Sequence, residues 1–166
     1  MAAEEGSAPV DLPEEPIERV RTIVERVVSS LDVEADVEVD EDDSTITARI
    51  EGEDLGLLIG RRGQTIDAIQ LIAYRAAFRG VKDRKRVEVD AAGYRERQRE
   101  QLERQADQAA DRALKRGRPM DLEAMTAQER RIVHDRLKDR AGIETYSEGD
   151  EPDRFVVVAP LVSGSE

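Results

Sequence analysis

Two glycines three residues apart, Gly60 and Gly63, are the sequence feature that most restricts how this chain can fold. They stand in the segment Leu58-Ile59-Gly60-Arg61-Arg62-Gly63-Gln64-Thr65-Ile66. Glycine adopts backbone conformations that other residues rarely do, so the pair predicts a tight turn that can lie close to another backbone. The segment fits neither the P-loop pattern G-x-x-x-x-G-K-[ST] nor the dinucleotide pattern G-x-G-x-x-G. We therefore expect a turn of another kind between two helices.

Phosphate chemistry is the main functional expectation for this turn. The helix that begins at Gln64 offers free amides and the positive end of its dipole, which favour an anion. Arg61 and Arg62 project as groups that pair with phosphate, and Ile59 and Ile66 supply apolar walls on which bases could lie. The alternative is a plain helix–turn–helix with two exposed arginines.

The periodicity around the turn predicts a small α+β module. Apolar residues at three- and four-residue steps indicate a first helix, and strict alternation of apolar and acidic residues indicates strands. The acidic turn between the first two strands lacks the spaced ligands of a calcium loop, so we expect a solvated hairpin turn. The predicted elements are a helix over 16–30, strands over 33–40 and 45–50, helices over 54–59 and 64–79, and a strand over 85–90.

A second, unlike α+β module is predicted after it. The segment from Tyr94 to Arg118 is rich in Gln, Arg and Glu and should form a long, mostly exposed helix that links the modules. Thr126 and Glu129 have the spacing of a capping box, which opens another helix. The remaining predicted elements are a short strand over 119–123, the capped helix to about Arg140, and strands over 143–146 and 155–159 with a turn-rich connection over 147–153.

Composition narrows the functional classes. The chain has no cysteine and one histidine, which argues against disulfides, zinc–thiolate sites and a multi-histidine active site. No apolar run approaches the roughly 20 residues of a membrane helix, and the first residues lack the order of a secretory signal, so we expect a cytoplasmic protein. Plentiful carboxylates accompany no plausible nucleophile or metal constellation, so neither an enzyme nor a bound cofactor or metal is expected.

The charge is uneven along the chain. The net charge is −12, yet residues 60–140 carry 21 basic and 14 acidic side chains, whereas residues 1–59 carry 4 basic and 18 acidic. A basic middle segment points to a polyanionic partner. Ordinary solvation of arginine-rich helices would explain the same numbers.

A second candidate site is the pair Arg130 and His134. Four residues apart on one helix, they lie one turn above the other and can point off one edge of it. Arginine offers a planar fork to phosphate, and histidine can stack or donate a hydrogen bond. In isolation, a structural histidine beside surface arginines is the simpler interpretation. Aromatic residues make up only 3% of the chain, and Tyr146 is the best candidate for a stacking ring.

The turn and its surrounding elements resemble a KH domain of type II, whose GXXG loop clamps about four nucleotides. The resemblance covers residues 14–91 and follows the order helix–strand–strand–helix–helix–strand. It implies that Gly60, Arg61, Arg62 and Gly63 grip phosphates. It also implies that Leu58, Ile59, Ile66 and Val89 floor the nucleotide groove.

The second module resembles the R-three-H domain, a small binder of single-stranded nucleic acid. The segments that carry the resemblance are Glu129 to His134, Glu144 to Gly149 and Arg154 to Val158. In that family the named Arg and His of the motif correspond to Arg130 and His134. The expected organisation is a disordered acidic tail over 1–13, the KH domain over 14–91, a linking helix over 92–117 and the R-three-H domain over 118–166.

The two modules together, with the Gly93 to Arg97 helix start between them, resemble the bacterial Jag family, also called KhpB. The resemblance implies a non-enzymatic binder of single-stranded RNA, with single-stranded DNA as an alternative ligand, that serves as an RNA chaperone or post-transcriptional regulator linked to cell-envelope growth and cell shape. It also implies pairing with a small KH protein of the KhpA type. Many members carry an additional N-terminal Jag domain, whereas only a short acidic tail is seen here. The alternative function is a protein-interaction adaptor that uses the KH fold as a dimerisation scaffold.

Overall fold

The computed structural model describes residues 11–161, and the chain divides into two compact units, one up to Arg95 and one from Glu96 onward. The predicted acidic tail, residues 1–13, lies almost wholly outside the described residues. The α+β class predicted from the sequence is confirmed in both units.

The first unit has one three-stranded sheet. Its elements are α1 (Pro16–Ser30), β1 (Ala35–Glu41), β2 (Thr45–Gly52), α2 (Gly56–Ile59), a 3-10 turn (Arg61–Gly63), α3 (Gln64–Ala77) and β3 (Arg86–Ala91). The strand order is β1-β2-β3, with β1 antiparallel and β3 parallel to β2. A parallel pair needs a long crossover, and here α2 and α3 provide it.

The core of the first unit lies between the sheet and the helices α1 and α3. Each element supplies the face that its periodicity predicted, because apolar residues recur every three or four positions on a helix and every second position on a strand. The buried apolar residues include Val20, Val24, Val28, Ile46, Ala48, Ile50, Ile66, Ile69, Ala73, Ala77, Val87 and Val89.

The acidic turn between β1 and β2 is a hairpin turn, as predicted. The Asp42 carboxylate accepts hydrogen bonds from the backbone N–H groups of Ser44 and Thr45, at 2.7 and 2.8 Å. These backbone hydrogen bonds are the main reason that the pKa of Asp42 lies below its ordinary value.

The second unit packs two helices and a small antiparallel sheet. Its elements are most of α4 (Tyr94–Arg116), then β4 (Met120–Asp121), α5 (Ala127–Leu137), β5 (Ile143–Glu148) and β6 (Phe155–Pro160). The strand order is β4-β6-β5. The predicted capping box opens α5, since Thr126 and Glu129 bond each other's backbone N–H groups.

Helix α4 supplies part of the core of the second unit. Its outer face is charged and exposed as expected, but its inner face is buried against α5 and β6. The buried residues of α4 are Leu102, Ala106, Ala109, Ala110 and Ala113, whereas Leu114 is 44% exposed. Most of these buried side chains are small alanines, so the weak apolar periodicity of the sequence did not reveal the burial of this face.

Ion pairs join α4 to α5 along the rim of this contact. Arg136 donates two hydrogen bonds to the Asp107 carboxylate, at 2.7 and 3.2 Å, and one turn further Arg140 donates to Asp111 at 2.5 Å. The hydrogen bond from Arg136 holds the pKa of Asp107 below its ordinary value. These pairs are exposed, so they orient the helices more than they stabilise them.

Strand β5 is longer than the sequence predicted. It continues to Glu148, because Ser147 and Glu148 pair with Val156 and Phe155 of β6. Ser147 was expected in the connecting turn. In the structure it is a strand residue, and its position matters for His134.

The alanine face of α4 predicts a specific sensitivity to side-chain volume. Replacing the fully buried Ala106 by Leu should lower the free energy of unfolding by about 1–3 kcal/mol, because the added atoms have no room. The same new side chain at the exposed neighbour, Gln105→Leu, is the matched control and should change it by less than about 0.5 kcal/mol. Urea unfolding measures both, and equal effects would contradict the packing described here.

Candidate nucleic-acid interface

The loop between α2 and α3 has an unusual backbone. Gly60 and Gly63 have φ angles of 73° and 77°, and Arg62 between them has a φ of 52°. Left-handed conformations cost little for glycine but are uncommon for arginine. The loop therefore has a defined backbone conformation, and the side chains of its two arginines are exposed.

Space, as well as conformation, requires the two glycines. A Cβ on Gly60 would overlap the Thr65 side chain and lie 2.8 Å from the Thr65 backbone nitrogen. A Cβ on Gly63 would lie 2.8 Å from Cε1 of Tyr94. The loop backbone is thus pressed against the first turn of α3 on one side and against the start of α4 on the other.

The loop presents positive charge beside the start of α3. Arg61 and Arg62 are both exposed, and Arg61 has no ion-pair partner among residues 11–161. Gly63 occupies the N-cap position of α3, and no side chain caps the helix there. The first amides of a helix are orphan donors with a positive dipole end, so this corner suits an anion.

The apolar residues expected to floor a groove lie deeper than predicted. Leu58, Ile66 and Val89 are 0% exposed and belong to the core of the first unit, while Ile59 is partly buried. In this conformation the first three can support the loop from beneath but cannot touch a nucleotide. The exposed apolar side chain beside the loop is Leu57, 67% exposed. A four-residue helix has too little periodicity for the sequence to single it out.

Arg95 holds the surroundings of the loop together, a role that sequence reasoning missed. Its guanidinium donates to the Val89 carbonyl at 2.9 Å, to Asp67 at 2.8 Å and to Gln70 at 3.1 Å. It thereby joins the start of α4 to β3 and α3. The only signal in the sequence was that an arginine follows a glycine and a tyrosine at the end of a strand.

In the second unit, Arg130 is turned inward. Its side chain is 10% exposed, and it donates to the Met125 carbonyl at 2.8 Å and to the Glu151 carboxylate at 2.6 Å. Glu151 itself is largely exposed, in the connection between β5 and β6. The expectation that Arg130 points freely off the helix edge is therefore not met, because a carboxylate already occupies its fork.

His134 is held by two hydroxyl groups of β5. Its Nδ1 lies 2.7 Å from Thr145 Oγ1, and its Nε2 lies 3.0 Å from Ser147 Oγ. A neutral ring can donate at one nitrogen and accept at the other. Burial, and then the positive charge of Arg130, lower the pKa of His134 below its ordinary 6.5, against a smaller opposing effect of Asp135.

Tyr146 lies on the other face of the strand. Side chains alternate along β5, so Thr145 and Ser147 face His134 while Tyr146, 41% exposed, faces away from it. The structure brings Arg130 and His134 together on α5, but it does not add the tyrosine ring to them.

Metal and membrane sites find no support in the described part of the chain. Across residues 11–161, no three His, Asp or Glu side chains are grouped so that they could hold a metal ion. No helix within that range has the length and apolar character needed to cross a bilayer.

Comparison with known proteins agrees with the division into two modules. Residues 17–90 match the KH domain of KhpA and KhpB, and residues 100–160 match the R-three-H domain. The first match contains the two-glycine loop. The second contains Arg130 and His134 and begins within α4.

Several relatives match most of the chain. RNA-binding protein KhpB of Bacillus subtilis (strain 168) is 35% identical over 147 residues, which cover 87% of this chain and 71% of that protein. The chain belongs to the KhpB family. The relative from Clostridium symbiosum is 34% identical over 82% of this chain and 62% of that protein, and one from Streptococcus pneumoniae is 32% identical over 84% and 42%. The chain thus spans less than two thirds of these last two relatives.

Membership of the KhpB family confirms the family predicted from the sequence. The names of these relatives describe RNA-binding proteins and not enzymes, in agreement with the non-enzymatic prediction.

The partial burial of His134 and the neighbouring charge of Arg130 predict a low titration midpoint. Since the chain has a single histidine, NMR of its ring protons should give one midpoint, below pH 6.5. The unfolded chain then binds that proton more readily, so the contribution of His134 to the free energy of unfolding is complete above about pH 6.5 and declines as the pH falls. Asp135→Asn should lower the midpoint further. A midpoint at or above 6.5 would contradict the hydrogen-bonded, partly buried ring.

Proposed function

We propose that this chain binds single-stranded RNA, with the Gly60–Gly63 loop as the main clamp for its phosphates. The observation that carries the proposal is the loop itself, whose left-handed backbone presents Arg61 and Arg62 beside the uncapped start of α3. A backbone without Cβ atoms lets a strand approach closely, and arginine forks and helix amides complement phosphate. Leu57 and the partly exposed Ile59 offer apolar surface for the bases.

Charge and family membership support RNA as the ligand. The basic residues concentrate in 60–140, and their field acts over a Debye length of about 8 Å, so the net charge of −12 does not prevent local attraction. The relatives at 32–35% identity are named RNA-binding proteins. We propose the same activity here, in the cytoplasm, as an RNA chaperone or post-transcriptional regulator. A role in cell-envelope growth and cell shape rests on the family resemblance.

Arg130 and His134 are proposed as a second RNA contact, which forms when a phosphate replaces their partners within the chain. Arg130 is paired with the Glu151 carboxylate, which occupies the place that a phosphate oxygen would take. To reach Arg130, an incoming phosphate has to displace Glu151. To reach His134, it has to break one of the two hydrogen bonds between the ring and the hydroxyls of Thr145 and Ser147. The second contact should therefore be weaker than the first.

A second candidate function is suggested by exposed apolar side chains on α3. Leu71 and Ile72 are 53% and 52% exposed and adjacent in sequence, which suits a protein partner. A small KH protein of the KhpA type is the partner that the family resemblance suggests. In that case the first unit would act as a scaffold rather than as an RNA clamp.

Reversing the loop charge tests the proposed function. Arg61→Asp together with Arg62→Asp should weaken binding to single-stranded RNA by more than about tenfold, because two negative charges then face the phosphates. The melting temperature should stay within about 2 °C, since both side chains are exposed. Fluorescence anisotropy with a labelled 12-nucleotide RNA at several salt concentrations measures the affinity.

The matched control makes the same charge change elsewhere. Arg26→Asp with Arg112→Asp alters two exposed arginines on α1 and α4 and should weaken binding by much less. If the loop variant binds as well as the wild type and melts at the same temperature, the first unit is a scaffold. If the wild type binds no single strand at low salt, the proposed function is wrong.

The Arg130–Glu151 pair predicts a gain in affinity. Glu151→Gln keeps the shape of the side chain but removes the charge that competes with phosphate, so affinity for the 12-nucleotide RNA should rise by about two- to fivefold. Asp153→Asn, in the same exposed connection, is the control for the removal of one negative charge. Equal gains in both variants would show that only net charge matters and that Arg130 does not touch the RNA.

A further inference from the structure

A cavity of about 340 Å³ lies at the far end of α3 from the two-glycine loop. Its lining residues are Leu71, Tyr74, Arg75, Phe78, Arg79, Gly80 and Arg84. All of them belong to the first unit, and none takes part in the loop site described above. Among residues 11–161, no carboxylate lines the cavity.

Three of the residues that line this cavity are arginines. The exposed side chains of Arg75, Arg79 and Arg84 have no ion-pair partner within the described part of the chain. The Nε of Arg84 donates to the Val81 carbonyl at 3.5 Å, which keeps this arginine over the turn. Three unpaired arginines around one cavity are unusual in a chain with a net charge of −12, and they predict an anionic ligand.

The wall of the cavity is aromatic and aliphatic. The rings of Tyr74 and Phe78 lie 5.5 Å apart at an interplanar angle of 56°, and Leu71 continues the apolar surface. Phe78 is buried, whereas Tyr74 is partly exposed. A simple inorganic anion would leave this wall unused. A ligand with both a phosphate and a flat ring uses the whole cavity.

The end of a helix is normally a poor place for an anion, because its carbonyl groups carry the negative end of the dipole. Here Arg19 of α1 offsets part of that negative end. Its guanidinium donates to the carbonyl of Ala77, the last residue of α3, and to that of Arg79 just beyond it, at 3.1 and 3.2 Å. One carbonyl of the last turn is therefore occupied, and a further positive charge lies at this end of the helix.

We propose that this cavity is a second nucleotide site of the first unit, occupied by a nucleotide of the same RNA strand that the Gly60–Gly63 loop holds. The inference rests on the proposed function. Helix α3 has 14 residues, which at 1.5 Å per residue separate the two sites by about 20 Å. A strand that rises about 3.4 Å per nucleotide spans this distance in about six nucleotides, and an extended strand needs fewer. A trinucleotide is too short to occupy both sites even when it is extended, whereas a 12-nucleotide RNA can occupy both.

The test compares RNA length between matched single substitutions. Arg75→Gln should weaken binding of the 12-nucleotide RNA by about three- to tenfold and leave a 3-nucleotide RNA unaffected. The salt dependence should also become shallower, by about 0.7 in the slope of log affinity against log salt for each phosphate that the protein no longer neutralises. Arg26→Gln removes the same charge from an exposed position on α1 and should change neither quantity appreciably.

The loop variant Arg61→Asp/Arg62→Asp separates this inference from the proposed function, because it should weaken both RNA lengths. If wild-type protein binds neither RNA, the proposed function fails. If the loop variant loses binding but Arg75→Gln equals Arg26→Gln at every length, only the second site is wrong. Saturable binding of AMP that Arg75→Gln abolishes, without any effect on the 12-nucleotide RNA, would assign the cavity to a free nucleotide and overturn the proposal. Arg75-dependent binding to phosphatidylserine vesicles, with RNA binding unaffected, would assign it to a membrane surface and also overturn it.

Discussion

The exposed edge of the first sheet is closed by two side chains, and the shape of the loop region depends on them. Strand β3 is the last strand, so the backbone of Val89 on its outer side has no neighbouring strand to pair with. Gln70 accepts from the Val89 N–H at 3.0 Å, and Arg95 donates to the Val89 carbonyl at 2.9 Å. An unpaired edge would invite another strand. Here the edge is tied instead to α3 and α4, and the same tie places Tyr94 against Gly63.

The position of Arg95 also affects the electrostatic potential beside the loop. Asp67 lies in the first turn of α3, where a carboxylate favours the helix but opposes a phosphate. Arg95 pairs with Asp67 at 2.8 Å and offsets its charge. The negative charge nearest the start of α3 is therefore partly neutralised beside Arg61. The acidic residues that set the net charge of −12 lie elsewhere, in the first 59 residues and after residue 140.

Much of this fold follows from patterns that a single sequence displays. Helix α1, the alternating strands and the capping box of α5 were placed within a few residues of their observed bounds, because each depends on neighbours along the chain. The loop glycines were also identifiable, since positive φ angles restrict the residue type. Contacts between distant segments left no such local signature. The burial of α4 on alanines, the tie made by Arg95, and the exposure of Leu57 rather than Leu58 all depend on tertiary packing.

The pair Arg130 and His134 shows why a residue pattern predicts where a side chain lies better than it predicts whether that side chain is free to bind a ligand. Arg130 and His134 are one turn apart on α5, as the spacing required, and the family match places both in the R-three-H domain. A helix edge beside a sheet, however, leaves charged and polar groups half-buried, and half-buried groups need partners. The chain supplies them internally, with Glu151 for the arginine and two hydroxyls for the histidine.

A ligand can bind Arg130 or His134 only if it displaces these internal partners. A phosphate gains a charge-assisted hydrogen bond from Arg130 only after it breaks an existing one of similar strength, so the net gain is the difference between the two. Glu151 is mostly exposed and recovers its hydration when it is displaced, which keeps that cost small. Arg61 of the first unit requires no such exchange, because it has no ion-pair partner within residues 11–161. The two units therefore differ in the free energy that each would have to give up before a strand could bind.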